Sequence, residues 1–370
     1  MKTRIAEFDW LKMLALLLLI FVHSDLYFVF PEIIYPIQWF LLSCFFFISG
    51  FLAFDSIHKC GASIRDFCKS KILSLYAPFV TAAVFYFVLQ TFIGAATADP
   101  LRLLAHVSLL NIFDGVNSLY NWGSMWFVPY LLAFMLILCF IMKYVKNVKT
   151  QVLLVSFIWF CTILAWVYDT PIKLGLVFSQ YFLVFMIGVW FNKFKMYERV
   201  LKFKTVCITF PLVALFSLNL SYLFTFNNAM EALKSLLYSN GRSIVFCLSA
   251  ILLVLLLLRK LPVPRNRFVE LVATTSVLIY LMEPFLSYIL RTFVFGQLTV
   301  YFAAGAEFYL YQIARIAVLL VLLPLVVKAV KNFLPKMTFV GIQVLQHFNV
   351  LKNKPAVQNS DEGQQLDIKH

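Results

Sequence analysis

The chain has 370 residues, of which 62% are hydrophobic, 18% aromatic and only 13% charged, with a mean hydropathy of +0.89. A soluble domain is about half apolar and a quarter charged, so a water-soluble fold is excluded and an integral membrane protein is expected. A formal net charge of +14 would point to nucleic acid in a soluble chain, but here the basic residues are placed as a membrane topology requires, and no nucleic-acid partner is expected.

A membrane-spanning helix needs about 20 mostly apolar residues. Ten such stretches occur in chain order, at 9–29, 37–55, 75–95, 125–143, 151–168, 175–192, 205–225, 243–259, 269–291 and 309–331. Their length favours helices over the short alternating strands of a barrel, so the predicted fold is an all-α bundle of about ten transmembrane helices. The residues from Met1 to Phe30 lack a small-residue cleavage site, so the first span is expected to stay in the protein. Of the 31 Lys and Arg residues, 24 fall in the N-terminus, the even-numbered loops and the C-terminal tail. Five lie in the odd loops (Arg102, Lys173, Lys234, Arg242, Arg291), and Lys12 and Arg315 lie within spans. The positive-inside rule then puts both termini in the cytoplasm of a multi-pass plasma-membrane protein. The predicted membrane domain is 1–336. The tail, 337–370, reads as a possible interfacial helix over MTFVGIQVLQHF followed by a polar, disordered end.

The third loop, 96–124, is the longest external segment, and its apolar run LRLLAHVSLLNIF either lies on the membrane or dips into the bundle. No internal repeat of the kind found in inverted-repeat transporters is evident. The seven cysteines (44, 60, 68, 139, 161, 207, 247) show no paired or metal-ligand spacing, so neither a disulfide framework nor a metal site is expected.

Ionisable residues inside spans are functional candidates. The first span, DWLKMLALLLLIFVHSD (9–25), carries Lys12 near its start and His23 near its end. Eleven residues at 100° each return to within about 20° of the same face, with about 16 Å between them along the axis. Asp9 is three residues from Lys12 and can pair with it. Lys12 can also snorkel to the headgroups, and His23 can be a packed interfacial histidine. Glu283 and Arg315, from spans nine and ten, fall at the same outer depth as His23. Either they form a structural ion pair, or the three residues share an outward-facing cavity.

Five segments in order resemble acyltransferase family 3, membrane-bound enzymes that modify surface glycans. The first helix, with Lys, ten residues, then His, resembles the family's first helix. FFFISGFLAF (45–54), RDFCKSKILSLYAPF (65–79), GSMWFVPYLLAF (123–134) and TTSVLIYLMEPFL (274–286) resemble its later motifs, and the resemblance covers about 4–335. The chain departs from the pattern at Ser74, where relatives often have a second basic residue three after Lys71, and at Glu283, where many have histidine.

The resemblance implies an O-acyltransferase moving an acyl group, expected to be acetyl, from acyl-CoA to a hydroxyl of a surface polysaccharide or glycolipid. On that reading no cofactor is bound; acyl-CoA is the donor substrate, and the glycan acceptor and membrane lipids are the partners. His23 is the candidate general base, with Glu283 or Asp25 to orient it. Lys12, Arg65, Lys69 and Lys71 are candidates for the donor phosphates. Ser49, Trp126, Tyr280 and Arg315 complete the candidate substrate pocket, although Ser49–Gly50 also suits close helix packing and Trp122, Trp126 and Tyr130 also suit an interfacial belt. The competing reading is a transporter or flippase of a lipid-linked or polymeric glycan, which gives no reason for the Lys-to-His spacing. A purely structural subunit leaves the intramembrane charges unexplained.

Overall fold

The computed structural model describes residues 5–23, 31–59, 63–92, 99–113, 126–170, 174–200, 202–217, 229–261, 264, 266–289, 312–319, 321–323, 325 and 329. The chain divides into two compact units, Met1–Val327 and Lys328–His370. Apart from Ala329, the second lies outside the described residues, as does the expected tail.

The described residues are helical, with an isolated antiparallel bridge between Phe113 and Leu174. The helices are α1 (Ala6–Val22), α2 (Pro31–Lys59), α3 (Ile64–Lys71), α4 (Ala77–Phe92), α5 (Pro100–Val107), α6 (Phe127–Tyr144), α7 (Val148–Val167), α8 (Leu176–Lys193), α9 (Met196–Val200), α10 (Phe203–Ser217), α11 (Ala229–Lys260), α12 (Arg267–Thr274) and α13 (Ser276–Ile289). A further apolar helix covers Gln312–Leu323.

Among the described residues, five helical stretches are long and apolar enough to cross a membrane: Ile34–Lys59, Arg65–Phe92, Phe127–Tyr144, Val148–Val167 and Ala229–Lys260. A sixth is formed if α12 and α13, bent by 79°, count as one span. The other predicted positions hold α1, α8, α10 and the Gln312–Leu323 helix, and the continuation of the first span beyond His23 lies outside the described residues. The chain is therefore a multi-pass helical membrane protein.

Three elements depart from straight spans. The third runs through a π turn at Ile72–Tyr76, joining α3 to α4; such turns insert an extra residue and re-aim the side chains that follow. The ninth breaks at Thr275. There the Thr274 hydroxyl donates to the Glu270 carbonyl at 2.8 Å and the Thr275 hydroxyl to the Leu271 carbonyl at 2.6 Å. These hydroxyls bond back to carbonyls one turn earlier, the Leu271 carbonyl also accepting from the Thr275 amide at 3.1 Å, a back-bonding that bends helices. The eighth begins at Ala229, well before the predicted 243, so Lys234 and Arg242 belong to a helix and not to a loop. Glu231, Lys234, Asn240 and Arg242 dilute its apolar signal, yet Ser235, Asn240 and Arg242 are buried.

The core is built on α2 and α8. An added Cβ at Gly50 would collide with the backbone of Phe185, and one at Gly188 with the backbone of Phe47. The two helices therefore touch backbone to backbone, the usual route to association where lipid removes the hydrophobic drive. Around this crossing the rings of Phe46, Phe134, Tyr181 and Phe185 pack in mutual contact, Phe46 stacking on Tyr181 at 4.9 Å. Part of the third loop does dip inward. α5 is capped by Asp99, whose side chain accepts from the Leu101 and Arg102 amides. The segment then folds back on α4, with the Val107 carbonyl accepting from the Tyr76 hydroxyl at 2.9 Å and His106 buried 5.1 Å from the Phe79 ring.

Candidate active site

Two helices carry polar residues at one spacing. On α1, Lys12 and His23 share a stripe with Leu16 and Leu19. On α13, Ser276, Tyr280, Glu283 and Ser287 repeat the same offsets of four, three and four residues. These offsets keep one helical face. α1 packs against both α12 and α13, and the stripes meet at both ends.

At one end, Lys12 joins Ser276, Val277 and Tyr280 around a cavity of about 150 Å³. Lys71 from the end of α3, Ser74 and Leu75 from the π turn, Phe45 and Ser49 from α2, and Phe127 from α6 also line it. Tyr280 and Phe127 both line it, their rings 5.0 Å apart. At the other end, His23 terminates α1, and its Nδ1 lies 2.5 Å from Oε2 of Glu283. Glu283 is 0% exposed, whereas the His23 side chain is one-third exposed. A buried carboxylate is stable only when paired and hydrogen-bonded, and His23 is the partner. With Nδ1–H donated to the carboxylate, the lone pair of the imidazole sits on Nε2, turned away from Glu283.

Neighbours fix this pair. Arg315 donates through Nη2 to the His23 carbonyl at 3.3 Å and to the Ser287 hydroxyl. Pro284 removes an amide from the ladder of α13 and crowds the carbonyl one turn back. Beside that break the Tyr86 hydroxyl of α4 donates to the Leu281 carbonyl at 2.5 Å. These contacts hold the backbone on both sides of Glu283.

The structure thus brings together His23 and Glu283, places Arg315 beside them, and gathers Lys12, Lys71, Ser49 and Tyr280 around one cavity. It does not bring Arg65 or Lys69 into that cavity; both are exposed on α3. Lys71 lies over the Phe67 ring at 5.2 Å. Trp126 stands apart from the cavity in an aromatic group with Tyr130 and Tyr181. Gly50 makes the close helix contact, while its neighbour Ser49 lines the cavity. Asp25 and Trp122 lie outside the described residues. Sequence reading assigned no site role to Ser74 or Ser276, which it met only within the family motifs, and it missed Ser287 and Tyr86. The offsets from Tyr280 and Glu283 would have found Ser276 and Ser287; nothing in the sequence marks Tyr86.

No curated protein and no solved structure matches the chain at a significant level. A family model described as an acyltransferase domain matches residues 5–328, which is most of the chain and includes both stripes, the cavity and the His23–Glu283 pair. The chain belongs to this family, acyltransferase family 3, and is a membrane acyltransferase by family.

Proposed function

We propose that the protein is a plasma-membrane O-acyltransferase that moves an acyl group, specifically acetyl, from acyl-CoA to a hydroxyl of a surface polysaccharide or glycolipid. Ten spans with both termini cytoplasmic, a membrane domain of 1–336 and a cytoplasmic tail of 337–370 complete the reading. The observation that carries it is the His23–Glu283 pair set one helical turn along α13 from Tyr280, which lines a cavity whose wall includes Lys12 and Lys71.

The chemistry is acyl transfer with one base. Nε2 of His23 takes the proton of the acceptor hydroxyl as its oxygen attacks the thioester carbonyl. The C–O bond forms, the C–S bond breaks, and the imidazolium returns the proton to the departing thiolate. Glu283 holds the imidazole in the tautomer this step needs and stabilises the imidazolium. At about 150 Å³ the cavity is smaller than the roughly 300–1,000 Å³ of a drug-sized ligand site. It suits the slender acyl-pantetheine end of the donor, with the nucleotide outside and its phosphates drawn to the lysines. The roughly 16 Å from Lys12 to His23 along α1 is about the reach such an arm needs.

The test is label transfer from radiolabelled acetyl-CoA to cell-surface glycan by purified protein, comparing wild type with His23→Gln. Glutamine keeps size and hydrogen bonding but takes no proton, so transfer is expected to fall by about 10²–10⁴-fold while the protein still accumulates. Full activity in well-folded His23→Gln would remove the histidine from the mechanism. Wild-type protein that moves glycan but never transfers label would replace the enzyme with a transporter.

A further inference from the structure

A buried polar group on α4 has no role in the chemistry above. On α4 the residues Phe79, Ala83, Tyr86 and Gln90 are all buried and follow the same four-three-four offsets as the other two stripes. Gln90 is 1% exposed, and among the described residues neither its amide oxygen nor its amide nitrogen has a hydrogen-bond partner. A second orphan belongs to the pair itself: Oε1 of Glu283, the carboxylate oxygen not used by His23, is buried and equally without a partner. Burying such groups unpaired is costly, and few native polar atoms are left so without a reason.

The register of α4 against α13 places Gln90. Both helices lead away from the cavity: Lys71, Ser74 and Leu75 share its wall with Ser276, Val277 and Tyr280. Further along, Tyr86 binds the Leu281 carbonyl and Phe85 packs on Phe285 at 5.0 Å. Gln90 is one turn, about 6 Å, beyond Tyr86, and Glu283 is about 3 Å beyond Leu281. Counted from the Tyr86–Leu281 contact, Gln90 sits about 3 Å further from the cavity than Glu283; counted from the Phe85–Phe285 contact, about 10 Å further. It lies on the far side of the His23–Glu283 pair from the lysines.

We infer that Gln90 and Oε1 of Glu283 form the acceptor subsite, which binds a neutral sugar through hydroxyls adjacent to the one acylated. This rests on the acyl-transfer reading of the pair. The chemistry selects the ligand class. Oε1 takes only a donor, and a primary amide offers donors and an acceptor together. A sugar hydroxyl donates and accepts, so a neutral polyol satisfies both groups. A carboxylate or phosphate would meet Oε1 with like charge. Gln90 is thus a specificity-determining residue that contacts the acceptor and takes no part in proton transfer.

The experiment uses the full chain in lipid nanodiscs with methyl glucoside, galactoside and mannoside and their monodeoxy derivatives. Two readouts are taken: thermal stabilisation by each glycoside, and label transfer from acetyl-CoA. Gln90→Leu removes two unsatisfied buried atoms, so it is expected to accumulate at least as well as wild type, and Gln90→Met gives a second near-isosteric variant. In either, glycoside stabilisation is expected to weaken and the acceptor KM to rise about tenfold, with the donor KM within twofold of wild type. Deleting the hydroxyl beside the acylated one should weaken wild type by a similar factor and the Gln90 variants no further. Unchanged glycoside affinity in both variants, or a wild type that no neutral glycoside stabilises, overturns the subsite. Glycoside binding that depends on Gln90 without any label transfer would sink the acyl-transfer reading and leave the subsite standing. Label transfer with unaltered acceptor KM in the variants would do the reverse.

Discussion

Replacing Glu283 by glutamine separates an orienting carboxylate from a structural one. The carboxylate is 0% exposed and 2.5 Å from Nδ1 of His23, so its charge acts without the screening that water gives a surface pair. Glutamine preserves volume and can still face Nδ1 with its oxygen, but it can also rotate to present its NH₂. A donor at Nδ1 forces the proton to Nε2, the tautomer that cannot act as base. The analogous neutralisation of a triad carboxylate in serine proteases, a general case, costs about 10⁴ in kcat by the same route. Here no second carboxylate among the described residues is seen on His23, so a loss of about 10²–10⁴ is expected, or about 3–5 kcal/mol of barrier. The assay is kcat for label transfer from acetyl-CoA, with KM for the donor as internal control, since Lys12 and Lys71 are untouched. The variant should also lose the unpaired Oε1 charge, so its thermal stability should hold or rise. A kcat within threefold of wild type would refute the orienting role. The short contact would then be structural, and His23 would need another group to set its tautomer.

Three further outcomes follow from the same geometry. Lys12→Ala combined with Lys71→Ala should raise the acetyl-CoA KM by about tenfold per lysine with little change in kcat, Lys12→Arg should be nearly silent, and unaltered KM at limiting donor would mean that Lys12 only snorkels. Gly50→Ala, whose Cβ meets the Phe185 backbone, should lower the thermal midpoint in detergent by the equivalent of about 1–3 kcal/mol, whereas Gly241→Ala, with nothing within 4 Å of its Cβ, should be neutral or stabilising inside α11; equal effects would refute the close α2–α8 crossing. Burial holds His106 at about 4, below its usual 6.5, so the unfolded chain takes up the proton first. Stability should therefore be flat above pH 6.5 and fall as pH drops from 6.5 towards 4, by at most about 3 kcal/mol. His106→Leu should remove that part of the acid sensitivity in a pH series of thermal melts.

Much of the site was legible because bilayer-spanning helices obey few rules. The Lys12-to-His23 spacing fixes one face of α1 by arithmetic alone, and Glu283 stands out as a carboxylate in an apolar run. The partnership between them required tertiary structure: 260 residues separate His23 from Glu283, and an ion pair of Glu283 with Arg315 was as good a reading until Arg315 was found on Ser287 and the His23 carbonyl. The basic segment was read as a unit because charge clusters look alike in sequence. The helical phase of α3 leaves Arg65 and Lys69 outside and brings Lys71 to the cavity wall, where the π turn at Ile72–Tyr76 adds Ser74 and Leu75. The bend at Thr275 was invisible for a similar reason. Thr274 and Thr275 each fit an apolar span singly, yet the chain turns by 79° between α12 and α13, where their hydroxyls bond the Glu270 and Leu271 carbonyls.

That bend also bears on how the site is assembled. α13 starts at the cavity wall, with Ser276 in its first turn, and reaches Glu283 two turns later. Had α12 continued straight, the offsets that carry Ser276, Tyr280, Glu283 and Ser287 along α1 would have begun elsewhere on the helix, and Glu283 would not meet His23. α1, α4 and α13 all lead away from the same cavity, so each stripe reads in one direction, from lysine and serine through an aromatic or apolar waist to histidine, carboxylate and amide. Rigid helices hold such an arrangement more closely than loops can, and in a bilayer they must, because irregular backbone is tolerated there only where protein or a water-lined cavity satisfies it. The pair at the end of the waist separates the lysines at the cavity from Arg315, which binds Ser287 and the His23 carbonyl, and from the unpartnered Gln90 amide. A catalyst for joining a charged cytoplasmic donor to a neutral glycan needs that division, and a passage for carrying one solute across the membrane does not.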